Sequence, residues 1–253
     1  MTPRFPSLRN PPIALVSAGA SDASVDDLLA VLASALAPGT YGIAGAAWLT
    51  ADGHPVVHRD AVVRRGLRRQ ALSDLRVDEI PDDVVDLRRL LGGPGDAHVV
   101  LSIGDDATAE AVAATATAAT AAVASGARVW LRTDDWRQAA SWRALSDDIG
   151  LVASTRLRRL EHGPERHAAL VTNGGVDAVQ LPEGDWTPGL TTLFHRFGRL
   201  AMAGPAPHRR QLVALVDMGV DAISSEHAER LVEARAAAAG SPTTDPGRSA
   251  ATP

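Results

Sequence analysis

Residues 98–124 read His98-Val-Val-Leu-Ser-Ile103, then Gly104-Asp-Asp106, then an alanine-rich segment from Ala107 to Ala124. A short β-branched run predicts a buried strand, and the long segment rich in alanine predicts a helix packed behind it. The same unit recurs on both sides. N-terminal to it, Ile13–Ser17 predicts a first strand, and Ser24 caps a helix running to Leu36 with Val25, Leu28, Leu29 and Leu32 as its apolar stripe. Tyr41–Ala46 predicts a second strand, and Pro55–His58 an extended piece after a turn at Ala51-Asp-Gly53.

C-terminal to the opening unit, Arg128–Arg132 and Gly150–Ser154 predict strands four and five, with a helix around Trp136 and Trp142 between them. Val176–Leu181, Arg199–Ala203 and Val220–Ile223 predict three more strands. Helices are expected at Pro164–Val171, Thr187–Phe197, His208–Met218 and Glu226–Ala236. Eight such pairs fit an α/β fold of the (β/α)8 TIM-barrel type, with an open doubly wound sheet as the competitor because periodicity does not show closure. No linker divides the chain, so a single barrel over residues 12–235 is expected. Residues 1–11 are expected to form an unstructured leader and residues 236–253 a disordered tail.

Composition removes several kinds of chemistry. Net charge is −5, which leaves no basic footprint for nucleic acid. Cysteine is absent, so disulfides, thiolate nucleophiles and cysteine-bound zinc are excluded. All 25 basic residues are arginine, which excludes lysine Schiff bases and the P-loop lysine. Without an apolar run of roughly 20 residues, no membrane span is expected, and a cytoplasmic protein is the default.

Several segments resemble the glycerophosphodiester phosphodiesterases, in particular their bacterial branch. Trp48-Leu-Thr-Ala-Asp-Gly-His-Pro-Val-Val-His-Arg-Asp60 is similar to the family's strand-two segment. Pro11 to Ser21 resembles its opening strand, and Gly163–Ala169, Asp185–Leu190, Leu193–Arg199 and Met218–Ser225 resemble later segments in order. The resemblance implies a barrel of the phospholipase-C-like type. It also implies hydrolysis of glycerophosphodiesters to glycerol 3-phosphate and an alcohol, a step in lipid metabolism, with a calcium or magnesium ion and two histidines as acid and base. A hard cation held by carboxylates would neutralise phosphate charge, and histidines would move the protons.

The positions that would carry this chemistry are occupied by other residues. Ser17 and Ala18 stand where the family has a catalytic histidine and a phosphate-binding arginine, and Arg59 replaces the second histidine ahead of Asp60. The strand-two metal ligands are Ala44 and Ala46, and the strand-three Glu-x-Lys pair is Ser102 and Gly104. Pro182 and Glu183 replace paired histidines, and Gly204 replaces a tryptophan. The expectation is a pseudoenzyme with no cofactor, acting as a binding, regulatory or scaffold barrel toward a small anionic ligand or an active homologue.

The alternative is an active phosphodiesterase with a rebuilt calcium or magnesium site on the C-terminal rim, using His58 and the carboxylates Asp105, Asp106, Asp134, Asp135, Glu183 and Asp185. The favoured expectation is that Asp105, Asp106, Asp134 and Asp135 simply cap helices three and four. Arg59 and Arg132 either bind an anion or, as the favoured expectation, pair with Asp60 and Asp134 inside the mouth. Ser17 lacks a nucleophile elbow. His162, His167, His195, His208 and His227 lack metal-ligand spacing, so packing roles are expected for them and for the tryptophans. The cluster Arg64, Arg65, Arg68 and Arg69 is expected to be a solvated face neutralised by Asp74, Asp78 and Glu79.

Overall fold

The computed structural model describes residues 7–18, 24–65, 68–92, 96–122, 128–160 and 162–240. Strand β1 (Ile13–Ser17) leads to helix α1 (Val25–Ala35), whose N-cap Ser24 accepts a hydrogen bond from the Asp27 amide at 3.1 Å. Strand β2 (Tyr41–Leu49) then opens an excursion holding β3 (Pro55–Val57), β4 (Val62–Arg65), β5 (Arg68–Ala71), β6 (Val85–Asp86) and the short helix α2 (Leu87–Leu91). The chain re-enters the main sheet at β7 (His98–Ser102) and alternates through α3 (Asp106–Ala122), β8 (Arg128–Thr133), α4 (Trp136–Ser141), β9 (Gly150–Ser154) and α5 (Pro164–Asn173). It finishes with β10 (Ala178–Leu181), α6 (Pro188–Arg196), β11 (Leu200–Pro205), α7 (Arg209–Asp217), β12 (Ala222–Ser225) and α8 (Ala228–Gly240).

Closure follows from β1, which pairs in parallel with β2 on one side and β12 on the other. The ring β1-β2-β7-β8-β9-β10-β11-β12 is therefore an eight-stranded parallel barrel, and the open-sheet alternative is excluded. Strands β3 and β6 extend β2 in antiparallel fashion at its C-terminal end.

The period-two alternation divides each strand between two cores. Val16, Ile43, Leu101, Leu131 and Leu151 face the helices. Ile13, Leu15, Ala44, Val100, Trp130, Val152, Ala178, Met202 and Ala222 fill the barrel interior. Near the base, Trp130 donates its indole N–H to Nδ1 of His98 at 3.0 Å, and His98 Nε2 lies 3.1 Å from the Gly39 carbonyl. An imidazole that accepts at Nδ1 and donates from Nε2 is neutral. Gly150 makes room for the indole, since a Cβ there would lie 2.1 Å from the ring.

A second polar knot lies under the barrel. Asp221, fully buried, accepts from His195 Nε2 at 2.7 Å, the Ala201 amide at 2.7 Å, the Ser7 hydroxyl at 2.7 Å and the Arg9 amide at 2.9 Å. Burial pushes the carboxyl pKa up, but these donors outweigh it and hold the group below its ordinary value. His195, expected to be a packing residue, thus donates a hydrogen bond to a buried carboxylate.

Among the boundaries that differ from the sequence reading, three have a clear physical reason. Residues 7–11 do not belong to a free leader, because Ser7 and Arg9 are bonded to Asp221. The last helix continues to Gly240 rather than ending before a tail at 236, since the alanine run has the highest helix propensity of any residue type. The last strand starts at Ala222 rather than Val220, after the left-handed Gly219 (φ 83°) and the buried Asp221. Residues 241–253 lie outside the described residues.

Candidate functional site

The mouth is built by the C-terminal ends of the parallel strands, whose inward positions follow from the register. Ser17 is paired with Ala44, Ala46 with Ser102, and Ser102 with Arg132. The positions carrying the family's expected ligands on β2 and β7 therefore share one face of the barrel. Two of them present methyl groups only. The third, Ser102, accepts hydrogen bonds from both Nε and Nη2 of Arg132, the former at 2.9 Å. Ala18 packs on the outer core instead. Beyond β7, Gly104 stands in open space, with nothing within 4 Å of where a Cβ would be.

Arg132 crosses the barrel. Besides Ser102 on β7, it donates from Nη1 to Oε1 of Gln180 on β10 at 3.0 Å. Burial lowers its pKa, partly opposed by the negative charge of Asp134. The expected Arg132–Asp134 ion pair does not form: among the described residues no carboxylate lies within ion-pair distance of this guanidinium. Its side chain extends across the interior, whereas exposed Asp134 follows the last residue of β8 at the rim.

A cleft of about 460 Å³ opens over Arg132. Strands β7 to β11 line it with Ser102, Ser154, Gln180 and Gly204, and the loop after β9 adds Thr155, Arg156 and Arg159. Asp134 and Glu183 complete the rim. The sequence reading missed Ser154, Gln180, Arg156 and Arg159. A legible signal existed for two of them, since Ser154 and Gln180 are polar residues at inward positions near strand C-termini. The loop arginines carried no such signal.

The expected carboxylate ring is taken apart by capping. Asp105 accepts from the Thr108 amide at 2.8 Å, and Asp135 caps α4 through the Arg137 amide at 2.9 Å. Asp106 accepts from the Trp142 indole at 2.8 Å and from Gln138 at 3.2 Å, and these bonds lower its pKa. Asp185 accepts from the Leu157 amide at 2.8 Å. Only Asp134 and Glu183 line the cleft. Helix N-termini present free amides next to Asp105 and Asp135, which is why the cap prevails there, whereas Asp106 and Asp185 are held by partners far along the chain.

The remaining candidates lie elsewhere. Arg59 and Asp60 are exposed and do not line the cleft, and no ion pair joins them among the described residues. His58 folds back onto the Asp60 backbone amide at 3.1 Å and faces Asp83 at 3.6 Å. The Thr50-Ala-Asp-Gly53 turn is a scaffold device. Asp52 accepts from the Thr50 hydroxyl at 2.6 Å and the Val77 amide at 3.1 Å, with its pKa lowered to about 2 by the Thr50 bond above all. Arg64, Arg68 and Arg69 lie exposed on the β4–β5 hairpin, where Arg64 opposes Arg69. The expected neutralisation fails: no ion pair to these three exists among the described residues, and Asp78 pairs with Arg76.

Comparison with solved structures decides the fold family. A protein from Silicibacter pomeroyi assigned as a glycerophosphoryl diester phosphodiesterase superposes with a TM-score of 0.72 at 16% identity, over 92% of this chain and 95% of that one. The chain has the fold of the glycerophosphodiester phosphodiesterases. The Thermotoga maritima glycerophosphodiester phosphodiesterase gives a TM-score of 0.67 at 12% identity, over 88% of this chain and 97% of its own. An Oleispira antarctica phosphodiesterase in complex with the product sn-glycerol-3-phosphate gives 0.66 at 13% identity, over 88% and 96%. No family model and no curated protein matches the sequence.

The residues of this mouth do not fit the divalent ion that the fold family implies. Calcium and magnesium need several hard oxygen ligands. Ala44 and Ala46 supply none, and Ser102 already accepts from Arg132. Among the described residues no group of three or more histidine, aspartate or glutamate side chains is arranged to hold a metal. No helix of the described chain is long and apolar enough to cross a membrane.

Proposed function

We propose that this barrel does not hydrolyse glycerophosphodiesters by metal-assisted chemistry and works as a binding protein through its mouth. The observation that carries the reading is the alignment of Ser17, Ala44, Ala46 and Ser102 on one inward face, with Ser102 committed to Arg132. Metal-assisted phosphodiester cleavage needs a cation to offset phosphate charge and groups that titrate near neutrality to move protons. An arginine stays protonated and cannot serve as the base. Of the residues a rebuilt site would use, only Asp134 and Glu183 reach the cleft, too few for a hard cation's shell.

The test is incubation of the purified protein with glycerophosphocholine, glycerophosphoethanolamine and a chromogenic diester, each with Ca2+, Mg2+ or Mn2+. No glycerol 3-phosphate or chromophore is expected above the protein-free blank. Saturable, metal-dependent and chelator-sensitive release would overturn the reading.

A further inference from the structure

The cleft over Arg132 holds a positive charge that the protein offsets only through the nearby charge of Asp134, with no ion pair to it among the described residues. A guanidinium has five N–H donors. Three are used, two on Ser102 and one on Gln180, and both partners are neutral. A partly buried cation whose hydrogen-bond acceptors are all neutral is costly, and attraction to an anion in a site of lowered dielectric is correspondingly strong. Two more arginines, Arg156 and Arg159, stand on the loop at the edge of the same cleft, and neither makes an ion pair among the described residues. The hydroxyls of Ser154 and Thr155 open onto it as well, with no hydrogen bond to the protein among the described residues.

From this convergence we infer that the mouth is a guanidinium-based site for a phosphoryl dianion, free or as a small phosphomonoester, with Arg132 at its floor and Arg156 and Arg159 at its lip. The inference rests on the reading of the mouth as a binding site. Donors from several directions suit a tetrahedral group better than a planar carboxylate, which presents only two oxygens. The cleft volume of about 460 Å³ exceeds what a bare ion fills. Asp134 and Glu183 on the rim repel further negative charge, and they accept hydrogen bonds from a ligand body that carries hydroxyls. Three cations against two carboxylates leave the cleft net positive in a chain whose overall charge is −5. Because arginine here takes the place of a metal ion, binding needs no divalent cation.

Isothermal titration of chelator-treated protein with inorganic phosphate, phenyl phosphate and acetate tests this. Saturable phosphate binding is expected to weaken at least about tenfold in Arg132→Met, since charge-assisted hydrogen bonds are lost. Acetate is expected to bind more weakly than phosphate, and phenyl phosphate binding tighter than inorganic phosphate would identify the ester as the source. Arg156→Gln combined with Arg159→Gln alters exposed residues only, is expected to fold, and is expected to weaken binding by several-fold, more so at low salt. No saturable phosphate binding, or equal binding by the wild type and both variants, would overturn the inference. Diester hydrolysis in the separate assay would instead overturn the proposed function and leave the phosphate result standing.

Discussion

The two ends of the barrel interior treat polar groups in opposite ways. At the base, His98 and Trp130 satisfy each other and the Gly39 carbonyl, and Asp221 collects four donors from three separate segments. At the mouth, Arg132 keeps donors free, and serine and threonine hydroxyls open onto a cleft. Internally closed networks contribute to folding, whereas open ones carry a cost that only a ligand offsets. The base therefore reads as stability and the mouth as recognition, which is the division of labour known for barrels of this type.

The comparison breaks most easily at Asp221. Asp221→Asn is expected to destabilise by about 3–5 kcal/mol in denaturant titrations, because the amide NH2 that replaces one carboxylate oxygen cannot accept from the buried donors that oxygen serves. The pH dependence has a definite sign. The folded-state pKa of Asp221 lies below the ordinary value of 3.8, so its contribution is full above that value and lost as pH falls through the lower folded-state value. Wild-type stability should fall on acidification below about pH 4 more steeply than that of the asparagine variant.

Gly150→Ala comes next, with an expected loss of about 1–3 kcal/mol in thermal unfolding, because its methyl would drive the Trp130 ring out of place. Ser102→Ala removes the acceptor of two guanidinium N–H groups and is expected to cost about 1 kcal/mol. The smallest effect on stability is expected for Arg132→Met, within about 1 kcal/mol of wild type or more stable, since an apolar side chain replaces a desolvated charge. A large loss of stability in that last variant would mean that the mouth is as structural as the base.

Much of the architecture was legible because its causes are local. The β-branched runs, the Ser24 cap and the apolar stripe of α1 all act within a few residues. The end of α8 was misread because alanine looks alike in a helix and in a low-complexity tail. That Ala44 and Ala46 offer no ligand atom needed only residue identity. The fate of Asp105, Asp106, Asp135 and Asp185 did not follow from identity, since a carboxylate can cap or coordinate. Asp105 and Asp135 bond amides two or three residues away, but Asp106 and Asp185 found partners 28 to 36 residues distant. The Arg132–Asp134 pairing failed for a similar reason, as the preferred acceptors Ser102 and Gln180 are 30 and 48 residues away.

The sequence by itself determined which side chains share a face of each strand, because the period of two is a property of the extended backbone. It also determined that Ser17, Ala44, Ala46 and Ser102, and no carboxylate or histidine, stand at the inward C-terminal positions of β1, β2 and β7. Only the tertiary structure decided which strands stand opposite one another, since that depends on the closure of the ring and its register. Closure sets Arg132 between Ser102 and Gln180, beyond ion-pair distance of any carboxylate among the described residues, and so turns one arginine among 25 into the floor of a cleft.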